Sequence, residues 1–157
     1  MSTHLVYEPT HHPESRFLSL RGLHQHLMVW GDLSLATQEQ PLIVMVHGWM
    51  DVGASFQFVV DALRAQPGYE HRPMVALDWR GFGLTENSGS DSYWFGDYLA
   101  DLDFLLDELS PDTPVDLVGH SMGGNVVMFY AGLRPPRIRR LINLEGFGMP
   151  DMSPELA

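Results

Sequence analysis

The sequence predicts an α/β fold, a mostly parallel sheet opened by an antiparallel hairpin with helices on both faces. Three observations carry this. Four short apolar runs, 42–46, 74–77, 115–118 and 141–144, are largely continuous rather than alternating, as in strands buried on both faces. Residues at helical spacing fill the gaps between them, and strand and helix in alternation wind a parallel sheet. Ahead of these runs, two stretches alternate apolar and polar residues around Gly22, a hairpin pattern with a turn signal at its break.

Residues 1–14 carry His4, His11 and His12 with Pro9 and Pro13 and show no periodicity, so they are expected to form a flexible arm. Residues 16–22 and 24–31 make the hairpin. Beyond the first buried run, Phe56, Val59, Val60 and Leu63 fall at i, i+3, i+4 and i+7, and Pro67-Gly68 ends the segment. Tyr98, Leu102, Leu105, Leu106 and Leu109 repeat the pattern before Pro111, and residues 125–133 are helix-compatible up to Pro135-Pro136. One domain over residues 15–148 is expected, followed by a short segment, 149–157.

Charge narrows the function. Nine basic residues, all arginine, face twenty acidic ones, for a net charge of -11. A chain with no basic run lacks the footprint for phosphate backbones or anionic lipid, so nucleic acid is not an expected partner. The absence of cysteine excludes disulfides and thiolate metal sites. No apolar stretch approaches the roughly 18 to 20 residues of a membrane span, and the start Met1-Ser2-Thr3-His4 has no secretory pattern; a cytoplasmic location is expected.

The sharpest motif is Gly119-His120-Ser121-Met122-Gly123, a G-x-S-x-G between a buried strand and a helix. A tight turn of this kind holds the serine in strained geometry and exposes its hydroxyl at the C-terminal edge of the sheet. The following helix points its free N–H groups toward any oxyanion that forms there. Upstream, Val46-His47-Gly48-Trp49 ends the first buried strand. Acyl transfer needs two N–H donors converging on one carbonyl oxygen, and the main chains of Trp49 and Met122 occupy the matching positions. His47, Gly48 and His120 are expected to border the substrate.

These segments, with His47-Gly48-Trp49-Met50-Asp51, Asp78-Trp79-Arg80-Gly81-Phe82-Gly83 and the serine motif through Gly124, resemble the α/β-hydrolase fold superfamily, in particular its serine-hydrolase-like branch. The likeness runs from about Arg16 to about Gly148. It implies an eight-stranded sheet with an antiparallel start, a nucleophile after the fifth strand, and a catalytic acid and histidine supplied later. Haloalkane dehalogenases and epoxide hydrolases carry aspartate at this turn, so Ser121 favours acyl transfer through an ester intermediate. The Asp78–Gly83 segment is structural in the family.

Only 36 residues follow Ser121, and none is histidine. Glu145 stands where some members of the superfamily take their acid, and Asp151 and Glu155 are weaker candidates. None of the eight histidines reads as a convincing base; His120 is turned away from Ser121 by the turn itself. The resemblance therefore implies the N-terminal portion of a hydrolase, without its C-terminal strands and cap, with residues 149–157 as the cap's beginning. Loss of the triad histidine can cost on the order of a millionfold in kcat, so the chain alone is expected to be nearly inert.

The expected activity is hydrolysis of small hydrophobic ester-like molecules, with Trp49, Met50, Trp79, Phe82 and Phe147 as an apolar entrance. No cofactor or metal is implied. The alternative is a non-catalytic binding or regulatory module on the same fold. An uncovered last strand would make a complementary C-terminal fragment, or a second copy, the expected protein partner.

Overall fold

The alternating stretches pair as Glu14–Leu20 (β1) and Leu23–Trp30 (β2) in the computed structural model, which describes residues 6–87, 89 and 93–147. The apolar runs form Ile43–Val46 (β3), Met74–Leu77 (β4), Val115–His120 (β5) and Ile138–Leu144 (β6). They assemble in the order β1-β2-β4-β3-β5-β6. β1 and β2 are antiparallel, β2 is antiparallel to β4, and β4, β3, β5 and β6 run parallel.

Side chains of the central strands divide by parity. Val44, Val46, Val75 and Leu77 pack with Tyr98, Leu102 and Leu105 of Phe95–Leu109 (α2) and with Val126, Val127 and Tyr130 of Met122–Leu133 (α3). Ile43, Met45, Met74 and Ala76 face the other way, onto Val60 of Gln57–Arg64 (α1) and Phe56 just before it. Burial on both faces explains the continuous apolar runs. Each buried valine, leucine, isoleucine or methionine among them contributes about 1.5–3 kcal/mol.

Buried ion pairs fasten the periphery. Asp101, fully buried on the inner face of α2, accepts two hydrogen bonds from Arg80, Nε at 2.5 Å and Nη2 at 2.6 Å, and one from Arg21 Nη1 at 2.7 Å. The hairpin turn, the loop after β4 and α2 thus meet at one carboxylate. Asp116 on β5 accepts from Arg72 Nη2 at 2.5 Å and from Arg139 on β6, at 2.8 Å from Nε and 2.6 Å from Nη2.

Burial pushes the Asp116 carboxyl up, but the hydrogen bonds from Arg139 and Arg72 outweigh it and hold the group below the usual carboxylate range. A depressed folded value makes its contribution to stability complete above the unfolded value, about 3.9, and lost as pH falls through the folded one. Asp116→Asn is expected to be less stable than wild type at pH 7 and to lose less stability between about pH 4 and pH 2. Urea midpoints across that range measure it; parallel curves for the two proteins would refute the assignment.

Residues 6–13 form no helix or strand and lie against α1. The hydroxyl of Tyr7 and the main-chain N–H groups of Thr10 and His11 donate to Asp61 on α1, and the Tyr7 ring sits 4.3 Å from that of Phe58. Residues 148–157, including Asp151, Glu155 and the expected start of a cap, lie outside the described residues. Among the described residues, no helix is long and apolar enough to cross a membrane.

Candidate active site

Ser121 joins β5 to α3 with φ 51° and ψ −116°, a conformation that side-chain-bearing residues rarely adopt. The turn is clamped at both ends. Ser121 N–H donates to Leu144 O at the end of β6 (2.8 Å), and Ser121 O accepts from Asn125 N in α3 (3.1 Å). Two glycines make the turn fit. A Cβ on Gly119 would stand 2.4 Å from Gly123 O, and one on Gly123 would stand 2.4 Å from Val46 O and 2.6 Å from His47 O. The helix therefore lies directly on the end of β3.

The loop after β3 closes over this turn. A Cβ at Gly48 would lie 3.0 Å from Ser121 Cβ and 3.3 Å from His120 Nδ1, so a side chain there would press on the turn and glycine lets the two chains sit this close. That approach brings the segment of Trp49 beside the start of α3 at Met122. Met122 packs partly buried on the α2/α3 side of the core, whereas the Trp49 ring is exposed and stacks edge-on against Phe82 at 5.4 Å.

His47 is fully buried. Its Nδ1 lies 2.7 Å from Gly48 O, and its Nε2 lies 3.0 Å from the Trp79 main-chain N–H. The second contact makes Nε2 an acceptor, so the proton sits on Nδ1 and the ring is neutral. Burial pushes its pKa down, against the upward pull of the Gly48 carbonyl and of Asp78 and Asp51. The Trp79 indole N–H donates back to His47 O (2.9 Å). With both nitrogens engaged, the buried ring ties the loops after β3 and β4 together.

His120 is half-exposed and points toward two carboxylates, Asp51 and Glu145, each 3.9 Å away. Glu145 follows β6 with φ 63°, and its side chain is largely exposed. His120, Asp51, Ser55, Phe56, Val59 and Leu144 line a cavity of about 260 Å³. A wider open groove of about 510 Å³ between α2 and α3 contains none of these residues. Asp51 and Leu144 had no chemical role in the sequence; Asp51 lay within the His47–Asp51 run, and Leu144 O acts through its main chain, which no residue letter signals.

Of the apolar entrance, Trp49, Met50 and Phe147 are exposed. Trp79 is not part of it: it is fully buried, in edge contact with Tyr98 at 5.3 Å.

A mixed sheet with an antiparallel start, and a strained serine between its fifth strand and the next helix, defines the class of α/β-hydrolase-fold proteins. The family model described as alpha/beta hydrolase fold matches residues 41–157, and the chain belongs to that family. Cis-3-alkyl-4-alkyloxetan-2-one decarboxylase of Shewanella oneidensis is 34% identical over 143 residues, covering 88% of this chain and 41% of that protein. A serine hydrolase-like protein of Danio rerio is 28% identical over 121 residues, covering 76% of this chain and 34% of its own. Epoxide hydrolases are further relatives. Among solved structures, the thioesterase domain from the curacin biosynthetic pathway superposes with a TM-score of 0.69 at 31% identity, over 83% of this chain and 43% of that one. The chain spans about two-fifths of the length of the first of the curated relatives it matches.

Proposed function

We propose that the chain carries the nucleophile and oxyanion half of a serine hydrolase acting on small, hydrophobic ester-like substrates. The backbone of Ser121, strained and clamped between β5 and α3, carries this reading. Ser121 Oγ attacks the carbonyl carbon and releases the alcohol or thiol, and water then frees the acyl group from the serine. The Trp49 and Met122 N–H groups hold the oxyanion; one such donor is worth about 2.7–4 kcal/mol in the transition state. Likeness to a thioesterase domain and to serine hydrolase-like proteins supports an acyl-serine, since a serine at this turn suits acyl transfer.

The proton acceptor in this reading is a histidine from outside the described residues. Glu145, at the end of β6, is the acid candidate nearest the turn. Leu141, Ile142 and Leu144 are exposed on β6, an edge strand of the described sheet, and such an edge recruits another strand. A complementary C-terminal segment or a second copy fits there, and the chain alone stays nearly inert.

A fluorophosphonate probe tests this. Labelling of Ser121, mapped by peptide mass spectrometry, is expected when the protein is mixed with the C-terminal half of a full-length relative, and is lost in Ser121→Ala. No Ser121 label with or without that partner would favour the binding module instead.

A further inference from the structure

A serine, a histidine and an aspartate are joined by hydrogen bonds where β1, β2 and the end of β4 meet, with β3 between them and the strand β5 that leads to Ser121. His26 on β2 places Nδ1 2.8 Å from Asp78 Oδ2 and Nε2 2.7 Å from Ser15 Oγ on β1. The two inner members are buried, with side chains 3% and 4% exposed, whereas Ser15 is exposed. Asp78 also accepts from Gly53 N–H (2.6 Å) and Leu84 N–H (2.9 Å), and His26 N–H donates to Thr85 Oγ1 (2.8 Å). Asp78 and His26 are thus held from three directions.

The tautomer follows from the partners. A carboxylate only accepts, so His26 Nδ1 carries a proton, and in the neutral ring Nε2 offers its lone pair to the Ser15 hydroxyl. A base oriented by a third group, within hydrogen-bond reach of a solvent-facing hydroxyl, is the arrangement that activates a nucleophile. Phe17 lies two residues along β1 on the same face, 52% exposed, its ring 5.0 Å from that of His26. It offers an apolar platform beside the hydroxyl. β1 is a sheet edge, so alternate main-chain N–H groups face outward without a strand partner among the described elements.

We infer that Ser15 is a second nucleophile of this protein, a site of covalent acylation or phosphonylation by activated, apolar esters and phosphonyl fluorides. With a fluorophosphonate, Ser15 Oγ bonds to phosphorus as fluoride leaves with the P–F electron pair, and the hydroxyl proton passes to His26 Nε2 and on to solvent. An activated ester reacts in the same way at its carbonyl carbon, with the phenolate leaving. His26 is the base and Asp78 the positioning residue. The inference stands apart from the role of Ser121.

Ser19 is the internal control, since it is exposed on the same face of β1 and has no ring nitrogen bonded to it among the described residues. Arg16 and Arg21 place Ser15 and Ser19 on different tryptic peptides, and fragment ions separate Ser15 from Ser2. General-base assistance of about 10²–10⁴-fold sets the expected ratio. In the full chain treated with a fluorophosphonate, Ser15 is expected to label at least about a hundredfold faster than Ser19. The label should persist in Ser121→Ala and vanish from this peptide in Ser15→Ala, a change at an exposed position. Equal labelling of Ser15 and Ser19, or none at Ser15, overturns the inference without touching the reading of Ser121, whose peptide is scored separately.

Discussion

Asp101→Ala is expected to remove about 3–5 kcal/mol of folding stability, the cost of leaving a buried arginine without its counter-ion. Asp101 is fully buried and receives both arms of the Arg80 fork, and the Arg80 side chain is itself only 8% exposed. Its remaining neighbour, Asp97, lies 3.4 Å from Nη1 and is shared with Arg21. The hydrogen bond that Arg80 donates to Asp101 also raises the Arg80 pKa, so the guanidinium has no neutral form to retreat to. Since domains have only about 5–15 kcal/mol in all, the variant should sit close to its unfolding threshold. Urea denaturation followed by the fluorescence of buried Trp30 and Trp79 reads the loss. A midpoint within about 0.3 M of wild type would show that the network contributes little.

Gly123→Ala is expected to cost about 3 kcal/mol or more and to abolish labelling of Ser121 even where the fold survives. The added methyl group would meet Val46 O at 2.4 Å and His47 O at 2.6 Å, both main-chain atoms of β3 and its loop that have nowhere to move. α3 would have to lift off the sheet, and Ser121 would move away from Gly48. Gly132 supplies the contrast within the same helix: a Cβ there meets nothing within 4 Å. Gly132→Ala should instead stabilise by about 0.5–1 kcal/mol, the ordinary helical preference. Denaturation of the two variants gives opposite signs if contact with β3 decides the outcome, and the same sign if it does not.

Much of this was legible in the letters. β4 runs over the residues its apolar run indicated, because nothing polar interrupts Met74–Leu77. β6 begins at Ile138, three residues ahead of its apolar run, because Arg139 is anchored on Asp116 of the neighbouring strand; that pairing spans 23 residues and has no local signal. α3 begins at Met122 rather than Asn125, since Gly123 and Gly124 suppress a helical pattern that close packing on β3 and on Asn143 restores. Asp101 carried no signal in the sequence, and its burial is explained only by Arg80 and Arg21, which lie 21 and 80 residues away along the chain. The Gly-x-Ser-x-Gly turn stood out because its geometry is local. His26 and Asp78, 52 residues apart, could not be joined before the sheet was assembled.

The identity of residue 78 is settled by its neighbours' wiring. Its two oxygens receive only donors: Gly53 N–H at one, Leu84 N–H and His26 Nδ1 at the other. Asparagine, the same size and shape, would have to aim an NH₂ at one of those donors whichever way its amide were flipped. Even the nearest isostere is therefore barred. An aspartate here testifies to how three separate segments of chain are stitched together, and says nothing by itself about chemistry at Ser121.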